Sequence, residues 1–191
     1  MGAAVVVGVL LIAWFAMSRS DGSRDGSSGA PPIVIGAAIQ VTAEDGLEIH
    51  PALSPDGKLL AYAAGKATEM RIIIRAVAGG RTLTLSESRN AFEYEPRWSP
   101  DGSQTLFLRR DGVFVASALG GTSRRVAGGP VTGAAWAPDG KRVLVARANT
   151  LAVVPLEGGP ERLLASGEPE VHSCAWSPLD DWVACVSGNA S

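Results

Sequence analysis

The sequence predicts an all-β chain built from repeated four-stranded units, and three observations carry that prediction. A proline-containing turn recurs as Leu53-Ser54-Pro55-Asp56-Gly57, Trp98-Ser99-Pro100-Asp101-Gly102 and Trp136-Ala137-Pro138-Asp139-Gly140, then in decayed form as Trp176-Ser177-Pro178-Leu179-Asp180. Successive copies lie 45, 38 and 40 residues apart, and the pairs Gly79-Gly80, Gly120-Gly121 and Gly158-Gly159 keep step at intervals of 41 and 38. Between these marks the chain runs in short strand-like stretches, and no stretch after residue 32 sustains a helical period. Two independent markers on one period near forty residues, with strand-like filling, are the pattern of propeller blades.

Each unit can be read in order. Proline presets the first central position of a turn, glycine or Asp accepts the left-handed conformation that closes it, and Ser and Asp bond the turn's own amides. The first run after each turn is Leu59 to Ala63, Thr105 to Leu108, Arg142 to Ala146 and Trp182 to Val186. The second is Arg71 to Arg75, Val113 to Ala116 and Leu151 to Val154. The glycine pair then leads into Thr82 to Leu85, Arg124 to Val126 and Arg162 to Leu164. With the strand that enters each turn, this makes four antiparallel strands per unit. Three units are complete and the fourth ends after two strands, so about three and a half blades are present. A further strand, Ile39-Gln40-Val41-Thr42, is expected before the first unit, as the outer strand of a neighbouring blade.

These aromatic-Ser-Pro-Asp-Gly turns, each followed by a strand and a Gly-Gly hairpin, resemble the WD40-like (PD40-type) repeats of TolB-like β-propellers over about residues 39–191. The resemblance implies an all-β propeller of four-stranded antiparallel blades. TolB-like rings have six or more blades, so the sequence reads as part of a longer protein. An assembly of identical chains that completes the ring is the less favoured alternative, because it needs closed symmetry at both open edges. Propellers of this type serve as envelope-complex subunits, as ectodomains of membrane-bound bacterial Ser/Thr kinases, and as gates of prolyl-oligopeptidase-type peptidases. The motif therefore specifies architecture more than function.

The N-terminus predicts a location. Residues 1–17 form an uninterrupted run of apolar and small residues, closed by Ser18 and Arg19. As a helix it would span roughly 25 Å, just short of a hydrocarbon core of about 30 Å. No basic segment precedes it and no convincing small-x-small cleavage site follows, which favours a transmembrane helix over a removed signal. Residues 18–32, rich in Gly, Ser and Asp, read as a flexible linker, leaving 33–191 for the propeller. The flanking charges balance and do not set the orientation. The resemblance places the propeller outside the cytoplasm, in the periplasm.

Composition excludes more than it assigns. The net charge of −2, with both signs interspersed, gives no basic face for nucleic acid. No phosphate loop, nucleophile elbow, His-Glu-x-x-His or Cys-x-x-Cys occurs, so no catalytic residue, metal ligand or cofactor is expected. Asp56, Asp101 and Asp139 sit on separate blades and read as turn residues. Trp98, Trp136 and Trp176 occupy equivalent positions and read as inter-blade core. Cys174 and Cys185 flank the last turn, where they either bond in an oxidising compartment or pack as two small buried thiols. The thiols are the preferred reading, since a one-residue slip in register turns the side chains to opposite faces.

One constellation is a candidate binding site. Residues entering the innermost strand ring the mouth of a propeller channel. Counting back equally from each turn aligns His50 with Glu95, Gly133 and Ser173, and Glu48 with Glu93 and Val131. Glu48, His50, Glu93 and Glu95 would make an acidic sector with an imidazole beside it, suited to a basic peptide or a cation. The competing reading gives these side chains to the solvated rim, or to pairs with Arg97 and Arg71. The expected function is a non-catalytic, membrane-anchored scaffold for a protein or ligand partner in the cell envelope. A sensor ectodomain with a kinase domain upstream is the alternative, and a peptidase gate is a further one.

Overall fold

The computed structural model describes residues 38–43, 45–86, 91–167 and 170–188. The chain divides into two units, Met1–Ile39 and Gln40–Ser191, and the fold described is that of the second. The expected anchor at 1–17 and linker at 18–32 lie outside the described residues. Among the described residues no helix is long and apolar enough to cross a membrane.

The described residues hold fourteen strands in four antiparallel sheets. The first sheet is β1 (Leu47–Leu53), β2 (Leu59–Lys66), β3 (Glu69–Ala76) and β4 (Thr82–Thr84), in that order. The second is β5 (Tyr94–Trp98), β6 (Gln104–Arg109), β7 (Gly112–Ser117) and β8 (Arg124–Gly128). The third is β9 (Gly133–Trp136), β10 (Arg142–Arg147), β11 (Thr150–Pro155) and β12 (Arg162–Ser166). The fourth holds β13 (Val171–Trp176) and β14 (Val183–Ser187). Each sheet is an up-and-down meander, and the repeating turn always joins its first two strands.

That turn has the same backbone closure each time, and the Ser copies add side-chain bonds. Gly57 N–H donates to the Ser54 carbonyl at 2.8 Å, while the Ser54 hydroxyl donates to Asp56 Oδ1 at 2.7 Å and accepts the Leu59 amide at 2.9 Å. The second copy repeats this through Ser99, Asp101 and the Gln104 amide. Gly57, Gly102 and Gly140 close their turns at φ of 71°, 72° and 66°, and in the decayed fourth copy Asp180 takes the same conformation at 60°. In that copy the Ser177 hydroxyl finds its carboxylate two residues later than the pattern, on Asp181 at 2.6 Å.

The core lies between sheets, and strand alternation decides which face meets which neighbour. Phe107 of β6 packs toward the first sheet with Met70, Ile72, Leu85 and Trp98. Leu106 and Leu108 of the same strand pack toward the third sheet with Trp136, Val143 and Val145. One step on, Leu144 and Ala146 turn toward the fourth sheet, where Val171 and Cys174 meet them. Trp98 and Trp136 are buried in these seams and Trp176 packs against the third, as their positions predicted.

Residues 39–42, expected as the outer strand of a neighbouring blade, have no ladder partner among the described residues. One expectation is corrected. Cys174 and Cys185 are joined in a disulfide rather than packed as thiols. The reason is a β-bulge. Ser173 and Cys174 together stand opposite Cys185, between the pairs His172–Val186 and Ala175–Ala184. The extra residue brings both cysteines onto the face that packs against the third sheet, with Cα atoms 4.1 Å apart.

The turn carboxylates give the fold a pH dependence. The Ser99 hydroxyl, then the amide and hydroxyl of Ser103, hold the Asp101 pKa down to about 2 from 3.8. A depressed carboxylate contributes stability that is complete above its unfolded pKa and lost as pH falls through the folded one. Asp101→Asn is expected to melt slightly below the parent at neutral pH, because the group is exposed and screened. The gap should close between about pH 4 and pH 2 in acid-titrated thermal melts; a gap of constant size over that window would refute the assignment.

Candidate functional site

The innermost strands β1, β5, β9 and β13 each end in the repeating turn, and three of the four break their ladder at the same point. His50 and Pro51 stand opposite Tyr62, Glu95 and Pro96 opposite Phe107, and Ser173 and Cys174 opposite Cys185. His50, Glu95 and Ser173 have φ of 55°, 51° and 51°. A left-handed backbone at a non-glycine residue costs on the order of 1 kcal/mol, and bulges re-aim side chains. The three bulged residues are those the count back from each turn had aligned. Their fourth member, Gly133, lies in a ladder without a register shift. A Cβ at Gly133 would sit 3.0 Å from the Ser173 amide nitrogen, so glycine is what lets β9 approach β13 this closely.

The expected mouth residues separate into two groups. His50 is exposed, with its ring centroid 6.3 Å from that of Tyr94. Glu95 is half-buried and stands 3.8 Å from the Arg97 guanidinium. Glu48 is half-buried and accepts the Thr42 hydroxyl at 2.8 Å. Burial raises the pKa of Tyr94, with the Glu95 charge adding to it.

Glu93 is a correction. It is completely buried, and its carboxylate accepts the Ser86 hydroxyl, the Ile72 amide at 3.2 Å and Arg109 Nη2 at 2.7 Å. The Arg109 guanidinium lies over the Phe114 ring at 4.1 Å and also donates to Ser123 Oγ at 3.0 Å. Glu93 thus ties the connection between the first two sheets to β3 and β6 and takes no part in a solvent-facing sector. Its aligned positions, Val131 and Val171, are buried too, which marks this register as a joint between blades.

At the turn end of the inner strands lies a cavity of about 370 Å³. All four sheets contribute to its wall: Ala52 and Leu53, Arg97 and Trp98, Ala135 and Trp136, Cys174 and Ala175. Arg97 is the one charged residue in that lining, and its side chain is 42% exposed. The two tryptophans are fixed from behind. Trp98 Nε1 donates to the Ala52 carbonyl and Trp136 Nε1 to the Arg97 carbonyl, each at 2.9 Å, so each indole bonds the equivalent residue of the preceding blade. Arg97 was missed as a lining residue. Its signal was its place one residue before the motif tryptophan, in register with Ala52, Ala135 and Ala175. Among the described residues no group of three or more His, Cys, Asp or Glu is placed to hold a metal ion.

Sheets of this connectivity, stacked face to face with their first strands innermost, define a β-propeller. Among solved structures the chain is similar to TolB from Acinetobacter baumannii, with a TM-score of 0.64 and 19% identity over 78% of this chain and 40% of that one. It is also similar to a putative TolB from Agrobacterium tumefaciens, with a TM-score of 0.58 and 22% identity over 74% of this chain and 54% of that one. A third is the β-propeller domain of Cps50 (Swd1) from Myceliophteria thermophila, at 0.56 and 13%, over 74% of this chain and 50% of that one. The chain thus spans about half the length of these structures or less. No protein-family model and no curated protein matches the sequence.

The buried pair gives a direct test. Arg109→Met leaves the Glu93 carboxylate in its dry seam without a cation, and a broken buried pair costs about 3–5 kcal/mol. Adding Glu93→Gln should recover at least half of that loss in urea denaturation, since the amide keeps hydrogen bonds and carries no charge. A loss of less than about 1 kcal/mol for Arg109→Met would place the pair among weak surface bridges instead.

Proposed function

We propose that this chain is a non-catalytic β-propeller that binds an extended segment of a partner protein along its inner strands, and that residues 1–17 anchor it to the membrane with the propeller in the periplasm. The observation that carries the reading is the convergence of four inner strands on one cavity. Its wall is mostly apolar, with indole rings held rigid by hydrogen bonds and a single half-exposed guanidinium. Fixed aromatic surface beside one arginine suits a protein segment that places an apolar side chain next to a carboxylate. The fold-level likeness to TolB supports the envelope setting, as does the uninterrupted apolar run at the N-terminus.

The test selects binders from a displayed random-peptide library on the purified chain, then measures selected peptides by calorimetry against variants. Arg97→Ala should weaken binding tenfold or more, whereas Arg162→Ala, on an outer strand, should leave it unchanged. An absence of enriched peptides, or binders indifferent to Arg97→Ala, would defeat the binding reading. The anchor is checked separately. The full chain should stay with membranes through alkaline carbonate washing, and deletion of residues 1–17 should release it; a full chain found in the wash would defeat the anchor.

A further inference from the structure

We propose that the outer edge of the second sheet is a docking surface of its own, where an extended partner segment adds a strand beside β8 and seats an acidic side chain against Arg124. The observation behind it is a difference between two seams. Counting from the glycine pairs, Arg124 of β8 corresponds to Leu83 of β4, and Gly158 corresponds to Gly120. At the first seam Leu83 lies over that glycine: a Cβ added at Gly120 would meet Leu83 Cδ1 at 3.3 Å. At the second seam a Cβ added at Gly158 would meet nothing within 4 Å. The space left there is a cleft of about 530 Å³ between β8 and the hairpin that joins β11 to β12, with Arg124, Val126, Pro155, Leu156, Glu157 and Gly158 in its walls.

Strand alternation gives the two arginines of β8 different tasks. Arg125 pairs across the ladder with Phe114, which faces the first sheet, and its guanidinium stands 3.7 Å from Asp111. Arg124 pairs with Val115, which faces the third sheet, so its side chain reaches toward the cleft. There Arg124 Nη1 donates to the Leu156 carbonyl at 3.0 Å, and no carboxylate among the described residues forms an ion pair with it. A neutral carbonyl bonded to one nitrogen leaves the other donors of the planar fork for a carboxylate. Glu157 is exposed at the lip of the hairpin, where water and salt screen its charge.

The backbone supplies the other half of the recognition. β8 is last in the order β5-β6-β7-β8, and its far edge meets no strand among the described residues. Such an edge offers a row of amide donors and carbonyl acceptors that an extended segment can take up. A strand added there places alternate side chains on the face that carries Arg124 and Val126, and Val126 packs against the core of that seam. The segment that fits therefore has a carboxylate opposite Arg124 and an apolar residue two positions away, against Val126. The edge of the first sheet is less suited, since β4 has three residues and Leu83 fills its seam. Charge on a sheet edge also serves in other proteins only to repel stray strands, and the sign of the preferred probe separates the two roles. This surface uses the outermost strand and does not rest on the reading of the axial cavity.

The probe is the blocked peptide Thr-Val-Thr-Glu-Thr-Val-Thr, whose residue order is the same in either strand direction. Calorimetry measures its binding to the full chain, and hydrogen–deuterium exchange locates it. The expected result is saturable binding at millimolar peptide or below, with amide exchange in β8 slowed threefold or more and no change in β5 or β9. Replacing the glutamate of the peptide by lysine should weaken binding tenfold or more. Arg124→Leu, which installs the first sheet's residue and fills the cleft, should do the same, whereas Arg97→Ala should leave binding unchanged. An absence of saturable binding would overturn the proposal, as would a lysine peptide that binds equally well or protection that falls on the inner strands. Binding that Arg97→Ala weakens and Arg124→Leu does not would also overturn it, while supporting the reading of the axial cavity. Should Arg124→Leu fail to fold, the two peptides on the parent chain still decide the matter.

Discussion

An antiparallel strand sends alternate side chains to opposite faces of its sheet, and in this chain both faces of the inner sheets are apolar. Phe107 points one way and Leu106 and Leu108 the other; Val143 and Val145 oppose Leu144 and Ala146 in the same manner. A sheet of this kind cannot leave either face in water, so each is stable as a layer pressed between neighbours. The contact between consecutive sheets is the constraint from which the other features follow. It places the first strand of each sheet innermost, brings the four inner strands to one cavity, and requires the chain to cross from one sheet to the next at fixed points.

Apolar faces alone would let neighbouring sheets slide, and polar groups set into the seams fix the register. Trp98 and Trp136 bury their rings between sheets and spend their one donor on a carbonyl of the preceding inner strand. Glu93 does the same from the crossing segment, binding the Ile72 amide of one sheet and Arg109 of the next. Such groups are costly if their partners are misplaced, because a dry carboxylate or indole N–H cannot fall back on water. At the third seam the polar contacts move toward the surface, where Arg142 bridges Asp139 and Asp180 at 2.6 Å each and lies over the Trp176 ring.

The same geometry gives the inner surface its character. The turn carboxylates are engaged within their own turns, Asp56 and Asp101 by a Ser hydroxyl and Asp139 by the Lys141 amide, which keeps them ionised and committed to the turns. What remains toward the axis is rigid indole, small apolar side chains and Arg97. Rigid, already ordered groups bind with little further loss of conformational freedom, which is the physical basis of the proposal that this wall docks a partner segment.

The sequence by itself determined whatever depends on neighbouring residues. The Ser-Pro-Asp-Gly turns, the glycine pairs, the short strands and the burial of Trp98 and Trp136 all follow from local turn chemistry and a period of two, and the structure carries each of them. The tertiary structure alone decided what depends on which segment lies opposite. Glu93 looked like a rim carboxylate until the crossing segment set it against Ile72 and Arg109. Residues 39–42 have strand-like composition and lack a ladder partner among the described residues. Cys174 and Cys185 meet because one extra residue in β13 breaks the alternation on which counting relies. A turn is closed by bonds among five or six consecutive residues, whereas a buried charge, a ladder or a bulge is settled by a partner from elsewhere in the chain, and no local pattern names that partner.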